Sequence, residues 1–134
     1  MVDELIKKLD ELVGTDDFEY EMYEIMGRIK AEGAGFEIVE DLLRIMEKHP
    51  LDDFGMPGAM VRFIEKFDPE YIPLLIQSIK RAPSMHTLWM LNRCINDSDN
   101  PDEYIDVLKE VAANESLDEA IRQSAQEFVD YQEE

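Results

Sequence analysis

The chain has 134 residues, 45% hydrophobic and 9% aromatic, with 32 acidic against 13 basic side chains and a formal net charge of −19 at pH 7. That length and apolar content suit a single domain over residues 1–134 with a real core, and they argue against disorder. The charge excludes nucleic acid and anionic membrane as direct partners, since Lys and Arg drive binding to both.

Apolar spacing predicts helices from end to end. Val2 to Val13 carries Leu5, Ile6, Leu9 and Leu12 on one face, and Gly14 closes it. Thr15 or Asp16 is placed to cap a second helix over 17–31, whose stripe is Phe18, Met22, Ile25, Met26 and Ile29. Asp17, Glu21 and Glu24 lie three or four apart on its other side. Like charges at that spacing cost a few tenths of a kcal/mol per pair, so stability does not explain them.

A third helix covers 36–48, with Val39, Leu42, Leu43 and Met46 inward, and Pro50 stops it. His49 to Ala59 is the longest break, with two prolines and two glycines. A fourth helix after Pro57 carries Met60 to Phe67 and is apolar on more than one side. Asp68-Pro69 opens a fifth, with Ile72, Leu75, Ile76 and Ile79 inward. Ser84 caps a sixth, Met85 to about Ile95; Asn100-Pro101 opens a seventh, with Tyr104, Ile105, Leu108, Val111 and Ala112 inward. The last runs from Leu117 to Tyr131 with Ala120, Ile121, Ala125 and Phe128 inward. No segment alternates with period two, so the fold class is all-α, about eight helices in antiparallel pairs.

The pairs recur. Asp68-Pro-Glu-Tyr-Ile72 returns as Pro101-Asp-Glu-Tyr-Ile105, with Tyr71 and Tyr104 33 residues apart. At that shift the stripe from Ile72 to Ile79 falls on Ile105 to Ala112 in one direction and on Val39 to Met46 in the other. Such a period in helix pairs predicts an α-α superhelix of the HEAT/ARM kind, against the alternative of an irregular bundle whose stripes align by chance.

Charge is segregated along the chain. Residues 1–41 hold 13 acids and 4 bases, residues 42–94 hold 6 and 7, and residues 95–134 hold 13 and 2. Acidity serves solubility in many proteins, but solubility does not require acidic ends around a balanced middle.

Little in the chain spells catalysis. Asp53-Phe54-Gly55 matches three letters of the kinase metal-binding motif, but no Gly-rich strand-loop or His-Arg-Asp loop accompanies it. A turn is the better reading: Asp52 or Asp53 bonds backbone amides, Gly55 and Gly58 supply the backbone freedom, and Phe54 plugs the core. His49, His86 and Cys94 lack metal-ligand spacing, and Asp97-Ser-Asp99-Asn100 lacks the glycine and glutamate of a calcium loop. No metal or other cofactor is expected. Along a helix His86 and Cys94 stand about 12 Å apart, too far for a nucleophile and its base. Trp89 is read as core, with His86 and Arg93 satisfying loop carbonyls, or as a binding hot spot. The chain is therefore read as a non-enzyme. A single cysteine forms no internal disulfide, and the start, Met1 to Lys8, lacks a secretory apolar segment, so a reducing, cytoplasmic setting is expected.

The runs Asp52-Asp-Phe-Gly-Met-Pro-Gly-Ala-Met-Val-Arg-Phe-Ile-Glu65 and Pro83-Ser-Met-His-Thr-Leu-Trp-Met-Leu-Asn-Arg93 resemble small acidic bacterial immunity proteins with HEAT-like helices. These accompany contact-dependent and other polymorphic toxins; the resemblance spans about residues 36–131. It implies an antitoxin, monomeric when free, that binds and occludes a cognate toxin domain, often a nuclease. The residues expected to face that partner are Asp99, Asp102, Glu103, Asp106 and Glu110, with Asp52 and Asp53 as a second group. The alternative is a HEAT-like adaptor whose groove takes a peptide or a housekeeping protein.

Overall fold

The computed structural model describes residues 1–55 and 57–134 and is all-helical. Helix α1 is Val2–Leu12 and α2 is Phe18–Ala31; a 3₁₀ turn, Phe36–Ile38, runs into α3, Val39–Lys48. Then follow α4 (Ala59–Glu65), α5 (Ile72–Arg81), α6 (Met85–Asp97), α7 (Asp102–Ala113) and α8 (Glu119–Gln132). Among the described residues there is no strand.

The helices stack in two layers. The odd-numbered helices pack in series, α1 on α3, α3 on α5 and α5 on α7, while α2 meets α4 and α6 meets α8 in the other layer. Short turns fold α1 on α2, α5 on α6 and α7 on α8 as hairpins, the last being the most closely packed. This is the α-α superhelical arrangement, with one irregularity. Helix α3 leans on α6 across the layers, while the long connection after it lies between α3 and the short α4.

Several boundaries differ from the sequence expectation. Helix α5 begins at Ile72, so Asp68 and Pro69 form a preceding turn rather than its cap. Pro73 explains this: it has no amide proton, and starting at Ile72 keeps it in the first turn, where none is needed. Helix α4 ends at Glu65, which leaves Phe67 beyond it, packed edge-on against Phe63 at 5.5 Å and Phe36 at 5.7 Å. Neither Thr15 nor Asp16 caps α2; the Thr15 hydroxyl donates back to the Leu12 carbonyl at 2.7 Å. Helix α8 starts later than expected, capped by Asp118, whose carboxylate accepts from the Ala120 amide at 2.9 Å. Ala120 is consequently exposed, and Val129 takes the inward place.

Ser84 caps α6 as expected, in a capping box: its hydroxyl accepts from the Thr87 amide, and Thr87 Oγ1 accepts from the Ser84 amide, both at 3.1 Å. Two orphan amides at the helix start are thereby satisfied where water is excluded.

Residues 49–55, with Pro57 and Gly58, form a strap that reaches into the core. Phe54 at its centre is fully buried, with edge-on contacts to Phe18 at 5.7 Å and His86 at 5.4 Å. Burying such a ring stabilises by about 2–3 kcal/mol. The Pro50 carbonyl accepts from the Met85 amide at 2.8 Å, and the Phe54 amide donates to His86 Nδ1 at 3.4 Å. Asp53 accepts from the Gly55 amide at 2.7 Å, the expected turn bond. Gly55 has φ +92°, and a Cβ on Gly58 would overlap the Phe54 carbonyl oxygen and stand 2.9 Å from Met22 Cε. The strap thus bends at residues where side chains do not fit.

Polar ties join one repeat to the next. Glu47 on α3 receives Arg81 of α5 through bonds of 2.9 and 2.6 Å and the Ser78 hydroxyl at 2.7 Å. Glu65 on α4 receives Arg93 of α6 at 2.8 and 2.9 Å, and Arg93 also lies over the Trp89 ring at 5.0 Å. Asp10 on α1 holds Lys48 at 3.0 Å and His49 at 2.7 Å. Gln132 of α8 donates to Asn92 and Asn96 of α6 at 2.7 and 2.8 Å. Of the cations of the balanced middle, Lys48, Arg81 and Arg93 thus tie neighbouring helices together and Arg44 pairs with Glu40 and Glu47 of its own helix, while Arg62, Lys66 and Lys80 have no ion pair among the described residues.

Candidate partner-binding surface

The carboxylates of the first hairpin collect at one edge of the stack. Phe18 and Met22 are buried by the α2 stripe, which fixes the outward direction of Glu19 and of the turn residues before it. Gly14 brings the α1–α2 turn beside the strap: a Cβ there would sit 3.8 Å from Asp52 Oδ1. Between turn and strap lies a cleft of about 570 Å³. Its lining joins the acids Asp16, Glu19, Asp52 and Asp53 to Phe18, the one aromatic ring there that keeps some exposed surface, while Met22 and Phe54 lie buried behind it.

The next surface of α2 carries Tyr20 and Tyr23, 66% and 71% exposed. With Asp16, Asp17, Glu19 and Glu24 they border a shallow concavity. The Tyr20 hydroxyl donates to Glu24 at 3.0 Å, and that bond to a carboxylate pushes the phenol's pKa up. Among the described residues no cationic side chain pairs with Asp16, Asp17, Glu19, Glu24 or Asp53. Asp52 has only His49 Nδ1, at 3.9 Å.

The acids expected at the other end are also exposed. Asp102, Glu103, Asp106 and Glu110 lie along α7 and Asp99 in the loop before it, and none lines the cleft. Among the described residues they too have no cationic partner. Glu110 borders a groove of about 370 Å³ between α5 and α7, together with Lys80 and Arg81, so the lining there is of mixed charge. Tyr104 is half-buried, and α7 presents no exposed aromatic ring.

Sequence reading therefore placed Asp52 and Asp53 at a concavity without seeing the concavity, and it passed over Asp16, Glu19, Tyr20 and Tyr23. A signal was available: Tyr20 and Tyr23 lie off the Phe18–Met22–Ile25 stripe, three residues apart, beside acids that cost helix stability.

The chemistry-bearing side chains of the middle are turned inward. His86 is 2% exposed; burial lowers its pKa, against the opposing pull of the Asp53 charge. Its Nδ1 accepts from a backbone amide and Arg93 pairs with Glu65, so neither serves a loop carbonyl as the sequence suggested. Trp89 is half-buried, its ring between Arg93 and His86. Cys94 is buried with its sulfur 3.3 Å from the Tyr71 hydroxyl; burial pushes the thiol pKa up, partly offset by that contact. Among the described residues no group of three or more His, Cys, Asp or Glu could hold a metal ion. No helix among them is long and apolar enough to cross a membrane.

No protein-family model matches this chain, and neither a curated protein nor a solved structure matches it.

Proposed function

We propose that this protein binds and occludes a basic protein, and that it is an immunity protein whose partner is a cognate toxin domain, such as a nuclease, met in the cytoplasm. One observation carries the reading. Among the described residues Asp16, Asp17 and Glu19 at one end and Asp99, Asp102, Glu103, Asp106 and Glu110 at the other have no cationic partner, whereas Arg44, Lys48, Arg81 and Arg93 of the middle are spent on Glu40, Glu47, Asp10 and Glu65. Acids that do nothing for the fold suit a partner with an opposite field, which speeds encounter and fixes orientation. A nuclease that grips phosphate has a basic cleft, and blocking it asks for no catalytic group. The resemblance of residues 52–65 and 83–93 to HEAT-like immunity proteins supplies the toxin.

The reading expects a large secreted protein with a variable C-terminal domain to be encoded immediately upstream, and the deciding experiment is co-expression with that domain. Survival that depends on this chain, with a complex recovered from the purified components, is expected. Death of the cells with no complex overturns the reading. The α7 acids are tested within that complex: Asp102→Lys with Asp106→Lys should slow association at low salt and leave the melting temperature unchanged. Unchanged association removes α7 from the interface.

The mixed-charge groove between α5 and α7 favours a second reading, an adaptor for a peptide. Its affinity would vary little with salt and would fall on substitution of the groove residue Leu117; Trp89 and the buried Tyr71, which the sequence offered as hot spots, do not line that groove.

A further inference from the structure

We infer that the first hairpin is the partner-facing end: the cleft between the α1–α2 turn and the strap takes an arginine side chain of a basic protein segment, and Tyr20 and Tyr23 hold a neighbouring cationic residue on their rings. The inference rests on the basic-partner reading and deepens it by naming the surface and the chemistry.

The aromatic face of α2 comes first. The large apolar side chains left exposed are Met1, Tyr20, Tyr23, Phe36, Leu51 and Tyr131, and Tyr20 and Tyr23 alone among them share one helix face. Neither ring contributes to the buried core. Tyrosine exposed in this way is typical of binding hot spots, since it offers large area at small cost in rotamer entropy. The Glu24 carboxylate anchors the Tyr20 hydroxyl and limits the motion of that ring.

Charge then selects the occupant. A second copy of this chain would bring a net −19 surface against the same surface, and nucleic acid or anionic lipid would meet like repulsion. A cationic protein segment is attracted. The cleft further favours arginine over lysine. Phe18, which keeps 7% of its surface exposed, gives an alkyl stem a small apolar contact, and the carboxylates of Asp16, Glu19 and Asp52 that line the cleft suit a planar fork of donors. A guanidinium is also less strongly hydrated than an ammonium and stacks better on tyrosine. Helix α7 has acids but no exposed ring, so it offers attraction without an anchor.

The test titrates the full chain at moderate salt with an oligo-arginine peptide and, separately, with an oligo-lysine peptide of equal length. Binding is followed by fluorescence anisotropy and by amide chemical-shift mapping. Shifts centred on residues 14–24 and 52–55, with tighter binding of the arginine peptide, are expected. Tyr20→Ala with Tyr23→Ala should weaken the arginine peptide about tenfold with the melting temperature unchanged. Asp102→Asn with Asp106→Asn should change it less than about twofold. Shifts centred on α7, or spread evenly over both acidic ends with no preference for arginine, overturn the inference and leave the basic-partner reading standing. Absence of binding to either peptide even at low salt overturns both.

Discussion

Glu47 and Arg81, 34 residues apart in sequence, meet through two parallel hydrogen bonds of 2.9 and 2.6 Å and lock α3 to α5. Burial by itself would raise the Glu47 pKa, but the bonds from Arg81 and Ser78 outweigh it and hold the carboxyl below its ordinary value of 4.5. Glu65 and Arg93 repeat the arrangement between α4 and α6. Each layer of the stack therefore has one charged clasp between its second and third members.

Arg81→Ala leaves a nearly buried carboxylate with the Ser78 hydroxyl as its main donor and should cost about 2 kcal/mol in urea unfolding. The pH dependence has a definite sign. Because the folded-state value is depressed, the Glu47 contribution is full above about 4.5 and is lost as pH falls through the lowered value. Glu47→Gln should thus be less stable than the parent at neutral pH, and the gap should close on acidification. A constant gap from neutral to acid pH would show that the carboxylate's charge contributes nothing.

Phe54 plugs the space between the first hairpin and α6. Phe54→Ala should cost about 3–5 kcal/mol, read as a lower urea midpoint, while Phe54→Leu should lose markedly less. Gly58→Ala removes no contact, yet it should destabilise by about 1–3 kcal/mol, because the added carbon overlaps the Phe54 carbonyl. A neutral Gly58→Ala would mean that the strap moves freely against α2.

Ser84→Ala removes the α6 cap and strands the buried Thr87 amide. A loss of about 1 kcal/mol is expected, with Ser84→Asp recovering less than an exposed cap would, since the site is fully buried. Equal stability of Ser84→Ala and the parent in thermal melts would refute the capping box.

The Cys94 thiol is buried and its pKa is raised, so it is a poor nucleophile twice over. An aromatic disulfide reagent at mildly alkaline pH should label it slowly in the folded protein and at once in denaturant. Rapid labelling of the native chain would reveal opening of the α5–α6 hairpin around Tyr71.

Helical periodicity alone determined the fold class, the number of helices and most of the buried stripe, because an amphipathic helix writes its inward face into three-four spacing wherever it packs. Ser84 as a cap, Asp53 as a turn acceptor and Phe54 as a plug were equally legible, since each depends on neighbours within a few residues. Where helices begin was less legible: Pro73, not Pro69, decided the start of α5. The charge segregation was visible in the sequence, but its cause was not. Only the tertiary structure shows that Arg81 and Arg93 are spent on Glu47 and Glu65, partners 34 and 28 residues away, while among the described residues Asp16, Asp17, Glu19, Asp102 and Asp106 have no cationic partner. The cleft is likewise a product of packing. Asp16 and Asp53 share a rim because Phe18 and Phe54 meet beneath them at 5.7 Å, and side-chain contact across that span has no periodicity to read.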